Sequence, residues 1–141
     1  VVSHWGVAGG DFTALSGAAL KTVDFSLVQT FTLAGRNDAK TRAVVARAAK
    51  LFKLKGADDI PAHAGFGHAY DLMHILARAV EIAGSTDRPA VRAALEQVRD
   101  YPGLIMRYAR PFTESRHEAL SRSQVFIGRF NDAGAVVPIG R

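Results

Sequence analysis

Apolar residues along the chain follow two periodicities, one typical of strands and the other of helices. Phe25, Leu27 and Phe31 fall at even spacing, which predicts a strand with alternate side chains on one face. Other short apolar runs are bounded by turn residues, and an Asp-Ala-Gly turn at 132–134 predicts a hairpin. The predicted strands lie at residues 1–2, 25–31, 104–108, 123–130 and 135–137.

Four segments have the spacing of helices with one apolar face. The first follows Asp11, whose side-chain oxygen is expected to cap it, and the second begins at Asp38 and is expected to end at Gly56. The third runs from about residue 65 to Gly84, and the fourth is capped by residues 85–87. Their predicted apolar faces are Phe12, Leu15, Ala18 and Ala19; Val44, Ala48, Leu51 and Phe52; Ala69, Leu72, Met73, Leu76, Val80 and Ala83; and Val91, Ala94, Leu95 and Val98.

This order of elements predicts an α/β fold with parallel strands, flanking helices and an antiparallel C-terminal hairpin. A parallel sheet needs crossover helices on both faces. Only the first two predicted strands have such helices beside them, so the predicted sheet is incomplete. We therefore expect a fragment of a larger fold, or a subunit that completes its sheet by pairing.

Composition narrows the function classes. The chain has 141 residues, a length typical of one domain, and it has no cysteine for a disulfide or a thiolate metal site. The net charge of +5 and the pI near 10.0 raise the question of nucleic acid. The basic residues are scattered without an aromatic-interleaved stripe, so nucleic-acid binding is not expected. The first residues lack the basic and apolar regions of a signal peptide.

No motif predicts catalysis, a metal or a cofactor. His63, His68 and His74 are five and six residues apart, a spacing that does not align them on one helical face. Residues 7–10 lack the lysine and serine of a phosphate-binding loop. Asp71 and Glu81 are expected on a solvated helix surface. We therefore expect a protein that is not an enzyme.

Three stretches, in order along the chain, resemble one family. The first, at residues 2–12, contains a Trp-Gly turn after a strand; the second, at 69–96, contains a Tyr-Asp pair and an Ala-Gly-Ser-Thr-Asp turn; the third, at 101–130, resembles the family's closing strands. Together they resemble the C-terminal portion of type I periplasmic solute-binding proteins of ABC transporters. The specific family is that of branched-chain amino acid-binding proteins, also called extracellular ligand-binding receptors.

The resemblance implies two Rossmann-like, flavodoxin-like lobes joined by crossover strands. Residues 1–24 and 124–141 would belong to lobe two and residues 25–110 to lobe one, with the missing part of the protein N-terminal. It also implies that a small solute is captured between hinged lobes and delivered to the membrane permease of an ABC importer, in the periplasm.

The resemblance also implies a set of ligand-binding residues. The loop at a strand's carboxyl end is where ligands bind in open α/β sheets, and an indole there can stack on a solute. No acidic residue precedes Asp11 to accept an ammonium group, so an aromatic acid, another carboxylate or an amide fits at least as well as an amino acid. The expected site residues are Trp5, His4 and Gly6 in the loop and Tyr70, Phe66 and His68 at the start of the long helix.

The sequence leaves two alternative functions open. One is a regulatory ligand sensor built on the same lobes, and the other is a small basic nucleic-acid-binding protein. If the chain is part of a two-lobed solute receptor or ligand sensor, it exposes apolar lobe surface. We then expect the isolated chain to form a homo-oligomer or a strand-exchanged dimer.

Overall fold

A computed structural model of the chain describes residues 1–140, and Arg141 lies outside the described part. The α-helices in that part are α1 (Phe12–Ser16), α2 (Ala19–Thr22), α3 (Ala39–Phe52), α4 (His63–Ala83) and α5 (Arg88–Leu95). The strands are β1 (Val2–Ser3), β2 (Ser26–Gln29), β3 (Tyr101–Pro102), β4 (Arg107–Tyr108), β5 (Phe126–Phe130) and β6 (Val136–Pro138). Short 3-10 helices lie at Trp5–Ala8, Ala57–Asp59 and Arg122–Gln124.

The chain divides into two compact units. The first contains Val1–Phe66 and Gln124–Arg141, and the second contains Gly67–Ser123. Helix α4 begins in the first unit and continues into the second. Within residues 1–140, none of the helices combines the length and the apolar character needed to cross a membrane.

The first unit is built on a four-stranded sheet with the order β1-β2-β5-β6. β1 and β2 are parallel, while β2 pairs with β5 and β5 with β6 in antiparallel register. The turn after β5 is closed by Asn131, whose side-chain oxygen accepts from the N–H groups of Ala133 and Ala135. The mixed α/β fold with parallel strands and a C-terminal hairpin is therefore confirmed.

Helix α3 begins as predicted, but the last residues of its predicted apolar face are exposed. Asp38 caps it by accepting from the Thr41 N–H at 2.9 Å, and Val44 and Ala48 are buried. The prediction that Leu51 and Phe52 are buried is wrong, since Phe52 is 67% exposed. The helix also ends before Gly56. Lys53 takes the left-handed conformation and its N–H donates to the Ala49 carbonyl, which satisfies that carbonyl at a modest conformational cost.

The helix predicted after Asp11 is two short helices, separated at Gly17 with φ of 49°. Asp11 occupies the cap position, but its side chain makes no capping hydrogen bond, so that prediction is wrong. Phe12 packs against Phe25 and Phe130, with ring centroids 5.4 and 5.6 Å away. The rest of the predicted apolar face, Leu15, Ala18 and Ala19, is exposed. A helix of five residues is too short to bring all of these side chains to the sheet.

The second unit has its core between α4 and α5. The buried cluster consists of Ile75, Ala79, Ala94, Val98 and Tyr108. Helix α5 begins as predicted: Asp87 accepts from the Ala90 N–H, and a proline lies in the first turn. It ends at Leu95, so Val98, which was predicted on its apolar face, is buried just beyond its end. Gly84, with φ of 60°, ends α4 where predicted.

Helix α4 turns a different face to this core than its apolar pattern predicts. Leu72, Met73 and Leu76 are exposed, with Met73 at 64%. The buried positions are instead Asp71, Ile75 and Ala79. At about 100° per residue, this face lies roughly a third of a turn from the predicted stripe. The expectation that Asp71 lies on a solvated surface is therefore wrong as well, because it is 1% exposed.

Asp71 explains this orientation, since it anchors the segment that follows α5. Its carboxylate accepts from the N–H groups of Leu104 at 2.5 Å and Ile105 at 2.9 Å, and from the Tyr108 hydroxyl at 2.9 Å. Residues 104–106 therefore form a turn between β3 and β4, and the predicted strand over 104–108 is wrong except at its end.

Gly103 is required by this turn. A Cβ atom there would lie 2.5 Å from the Tyr108 ring and 2.6 Å from Asp71 Oδ2, closer than real contacts allow. Burial and the Asp71 charge both raise the pKa of the Tyr108 hydroxyl, which keeps it protonated as a donor to the carboxylate. The turn at residues 104–106, the Asp71 carboxylate and the Tyr108 hydroxyl are therefore held together by one set of hydrogen bonds.

Candidate functional site

The turn after β1 holds the first group of predicted site residues. The 3-10 helix at Trp5–Ala8 is capped by His4, whose Nδ1 accepts from the Gly6 N–H at 3.1 Å. A Cβ atom at Gly6 would lie 2.7 Å from the His4 ring, so a larger residue there would push the imidazole away. The structure thus places His4, Trp5 and Gly6 together in one turn.

This hydrogen bond determines what the turn can offer a ligand. Because Nδ1 of His4 accepts, the ring proton of the neutral imidazole lies on Nε2, and His4 is exposed. The Gly6 N–H is already used, so a ligand could take it only by displacing the imidazole. Trp5 is 48% exposed, which leaves much of the indole accessible to a partner. The turn therefore presents an aromatic surface beside a hydrogen-bond donor.

The remaining predicted site residues lie in the first two turns of α4. Phe66, His68 and Tyr70 are each half-buried. The Tyr70 ring stacks on His74, with centroids 4.2 Å apart, and His74 Nδ1 donates to the Tyr70 carbonyl. Burial lowers the pKa of His68, an effect that the Asp71 charge partly offsets, so His68 is neutral at physiological pH.

Two buried polar residues in the first unit were not anticipated from the sequence. His63, the first residue of α4, accepts from the Leu33 N–H at Nδ1 (3.2 Å) and donates from Nε2 to the Ala57 carbonyl (3.1 Å). Burial lowers its pKa, so it is a neutral structural histidine. Gln29 is 2% exposed, and its Oε1 accepts no hydrogen bond. Its even spacing from Leu27 and Phe31 was a signal that it faces the interior.

Within residues 1–140, no group of three or more histidine, aspartate or glutamate side chains is arranged to hold a metal ion. His63 uses both ring nitrogens in backbone hydrogen bonds, and His74 uses one for Tyr70.

Comparison with solved structures gives three informative similarities. A leucine-binding protein, LivK, from Thermotoga maritima is 16% identical with a TM-score of 0.71, and the match covers 99% of this chain and 36% of that one. The branched-chain amino acid transporter substrate-binding protein LivJ from Streptococcus pneumoniae, solved in complex with isoleucine, is 17% identical with a TM-score of 0.67, covering 98% and 37%. A type 1 periplasmic binding protein from Bordetella pertussis is 24% identical with a TM-score of 0.65, covering 98% and 38%.

These similarities establish the fold of the chain and show how much of each solved structure it covers. The chain spans less than two-fifths of the length of each of the three structures. Comparison with functionally curated proteins gives no match. The sequence profile of a family described as periplasmic binding protein matches residues 1–135. The chain therefore belongs to the periplasmic binding protein family, with a partial type I fold.

Proposed function

We propose that this chain is the C-terminal portion of a solute receptor that captures a small molecule between two hinged lobes. Membership of a family of solute-binding proteins supports a role in binding rather than catalysis. In this proposal residues 1–24 and 124–141 belong to lobe two and residues 25–110 to lobe one. The solute would favour the closed form through contacts made only there.

The observation that carries the proposal is the composition of the turn at residues 4–8. It combines a half-exposed indole with an imidazole whose Nε2–H is a donor. A donor suits an oxygen of a carboxylate or an amide, and the indole suits an apolar or aromatic body. No acidic side chain occurs in residues 1–10 to accept an ammonium group. We therefore propose an aromatic acid, another carboxylate or an amide as the solute.

Tyr70, Phe66 and His68 are the proposed contribution of the long helix. The Tyr70 ring is held by its stack on His74, which limits the side-chain entropy lost when a solute packs against it. His68 is neutral and can donate or accept a hydrogen bond. These residues would line the cleft from lobe one.

The proposed partner of the closed, loaded form is the membrane permease of an ABC importer, and the proposed location is the periplasm. Similarity to a substrate-binding protein of a branched-chain amino acid transporter supports both. The complete gene product, and not one lobe, would make this contact.

The experiment is a thermal-shift screen of the complete gene product against amino acids, aromatic acids, dicarboxylates and amides, followed by calorimetric titration. We expect an aromatic carboxylate or amide to raise Tm, because a ligand that binds only the folded state stabilises it. Trp5→Ala should then weaken binding about tenfold or more. Leu15→Ala, which removes an exposed apolar side chain of the same unit, is the matched control.

Three outcomes would contradict the proposal in different ways. If only α-amino acids raise Tm, the proposed solute class is wrong. If Trp5→Ala binds as tightly as the control variant, the turn is not part of the site. If no solute in the screen raises Tm, the receptor function itself loses its support.

A further inference from the structure

His63 lies where three segments of the first unit meet. It is the first residue of α4 and is 8% exposed. Its Nδ1 lies 3.2 Å from the backbone nitrogen of Leu33 and 3.2 Å from the hydroxyl oxygen of Thr32. Its Nε2 lies 3.1 Å from the carbonyl oxygen of Ala57. The imidazole therefore connects the start of α4 to the segment after β2 and to the 3-10 helix at Ala57–Asp59.

The Thr32 hydroxyl extends this hydrogen-bond network to the C-terminal hairpin. It donates to the Val136 carbonyl at 2.7 Å and accepts from the Ala34 N–H at 3.1 Å. In the proposed receptor Thr32 belongs to lobe one and Val136 to lobe two, so this hydrogen bond joins the two lobes. The segment at residues 32–34 is held on one side by His63 and on the other by the hairpin.

Only the neutral imidazole fits this network. Because the Leu33 N–H is a donor, Nδ1 of His63 must accept, and the single ring proton must lie on Nε2. Burial lowers the pKa of His63, while the Ala57 carbonyl and the Asp58 charge oppose that effect. Protonation would place a second donor at Nδ1 and leave the buried Leu33 N–H without its acceptor.

The charged groups around His63 are carboxylates. Asp58 and Asp59, in the 3-10 helix, and Asp11, in the loop before α1, line with His63 a cavity of about 430 Å³. The end of β2 and the C-terminal hairpin contribute no titratable side chain to the described wall, and the wall contains no lysine or arginine. On α4 itself the next titratable residue is His68, which is also neutral. This acidic surrounding makes protonation of His63 accessible in mild acid despite its burial.

The same cavity connects His63 to the proposed solute site. Its wall includes Val7 and Ala8, which belong to the turn at residues 4–8, and Val136, which accepts from Thr32. We propose that His63 is a positioning residue for the solute site, whose neutral imidazole holds residues 32–34 against the hairpin and whose protonation loosens this joint and weakens solute binding. This inference rests on the proposed receptor function and adds to it release of the solute in mild acid.

The first test needs no solute and follows hydrogen exchange of the Leu33 amide by NMR at pH 7.5 and pH 5.0. The stability contributed by neutral His63 is fully present above its ordinary pKa of 6.5 and is lost as the pH falls below it, because the unfolded state then binds the proton more tightly. We expect the protection factor of Leu33, corrected for the intrinsic exchange rate, to fall about fivefold at pH 5.0.

His63→Asn separates this role from a merely structural one. Its Oδ1 is bonded to Cγ, as Nδ1 of histidine is, so it keeps an acceptor for the Leu33 N–H but cannot be protonated in this range. The protection factor of Leu33 should then be the same at both pH values. His117→Asn, which removes an exposed histidine of the second unit, is the matched control and should keep the pH dependence of the unmodified chain.

The second test measures the affinity of the complete gene product for phenylacetamide, a neutral amide of the proposed solute class, by calorimetry at the same two pH values. From pH 7.5 to pH 5.0 the affinity should fall about fivefold more in the unmodified protein and in His117→Asn than in His63→Asn. An effect of pH that originates at His4 is common to all three proteins and cancels in this comparison.

Unchanged protection of Leu33 in the unmodified chain would overturn the proposal, and so would equal pH dependence of affinity in the unmodified protein and His63→Asn. If His63→Asn does not fold by circular dichroism, the exchange measurement on the unmodified chain decides. If phenylacetamide binds at neither pH while Leu33 loses protection in acid, the proposed solute class fails and the acid-sensitive joint is supported.

Discussion

Asp71 is the residue on which the fold of the second unit depends most directly. One buried carboxylate accepts two backbone N–H groups and a phenol. Asp71→Asn keeps the size of the side chain but replaces one accepting oxygen with a donor, which leaves buried donors unpaired. We expect the free energy of unfolding to fall by about 2–3 kcal/mol, measured by urea denaturation.

The control for this prediction is Asp100→Asn in the same unit. Asp100 is paired with Arg107 at 3.6 Å on the surface, and exposed pairs contribute less than about 1 kcal/mol. Asparagine also tolerates the positive φ of 50° at this position. Equal losses in the two variants would show that Asp71 is not the anchor.

At the scale of elements, the cap of α3 gives a prediction about pH. The side-chain and backbone hydrogen bonds from Thr41 lower the pKa of Asp38 to about 2, from an ordinary value of 3.8. Because the folded state binds the proton less tightly than the unfolded state, this contribution to stability is present above pH 3.8. This contribution is lost as the pH falls from 3.8 through about 2, where the carboxylate of the folded state becomes protonated.

We therefore expect Asp38→Ala to lower Tm at pH 7 and to flatten the fall of Tm between pH 4 and pH 2. Asp38→Asn should lose less at pH 7, since its amide oxygen can still accept from Thr41. Glu114→Ala, at an exposed carboxylate, serves as the control. An acid limb that is equally steep in Asp38→Ala and the control would contradict the prediction.

The elements themselves were largely predictable from the sequence, but the faces they bury were less so. Asp38 and Asp87 marked helix starts correctly because capping is a local interaction. The buried face of α4 was missed because Asp71 is held by groups 33 to 37 residues further along the chain. Hydrophobic periodicity shows that Leu72 and Leu76 share one helix face, but it does not identify a neighbouring element that buries them.

The same limit applies to the candidate sites. The turn at residues 4–8 could be located because a tryptophan and glycines after a strand form a local pattern. The buried, unpaired oxygen of Gln29 could not, because it depends on how segments that are far apart in the sequence pack together.

At the scale of the whole molecule, the outer face of α4 remains uncovered by the residues of its own unit. Leu72, Met73 and Leu76 are all exposed there. A contiguous apolar patch of this kind favours association, because burying it removes apolar surface from water at about 25 cal/mol per Å². A second copy of this chain offers the same patch, and a two-fold dimer would bury both.

We therefore expect the isolated chain to self-associate through α4 at high micromolar concentration, measured by sedimentation velocity over a range of concentrations. Leu72→Glu combined with Leu76→Lys places an ion pair four residues apart on this face and should shift the chain toward monomer. Ala43→Glu combined with Arg47→Lys makes the same pair on the exposed side of α3 and should leave association unchanged. A monomeric unmodified chain, or equal association in both variants, would contradict the expectation. In that case the apolar stripe would be solvated without being an interface.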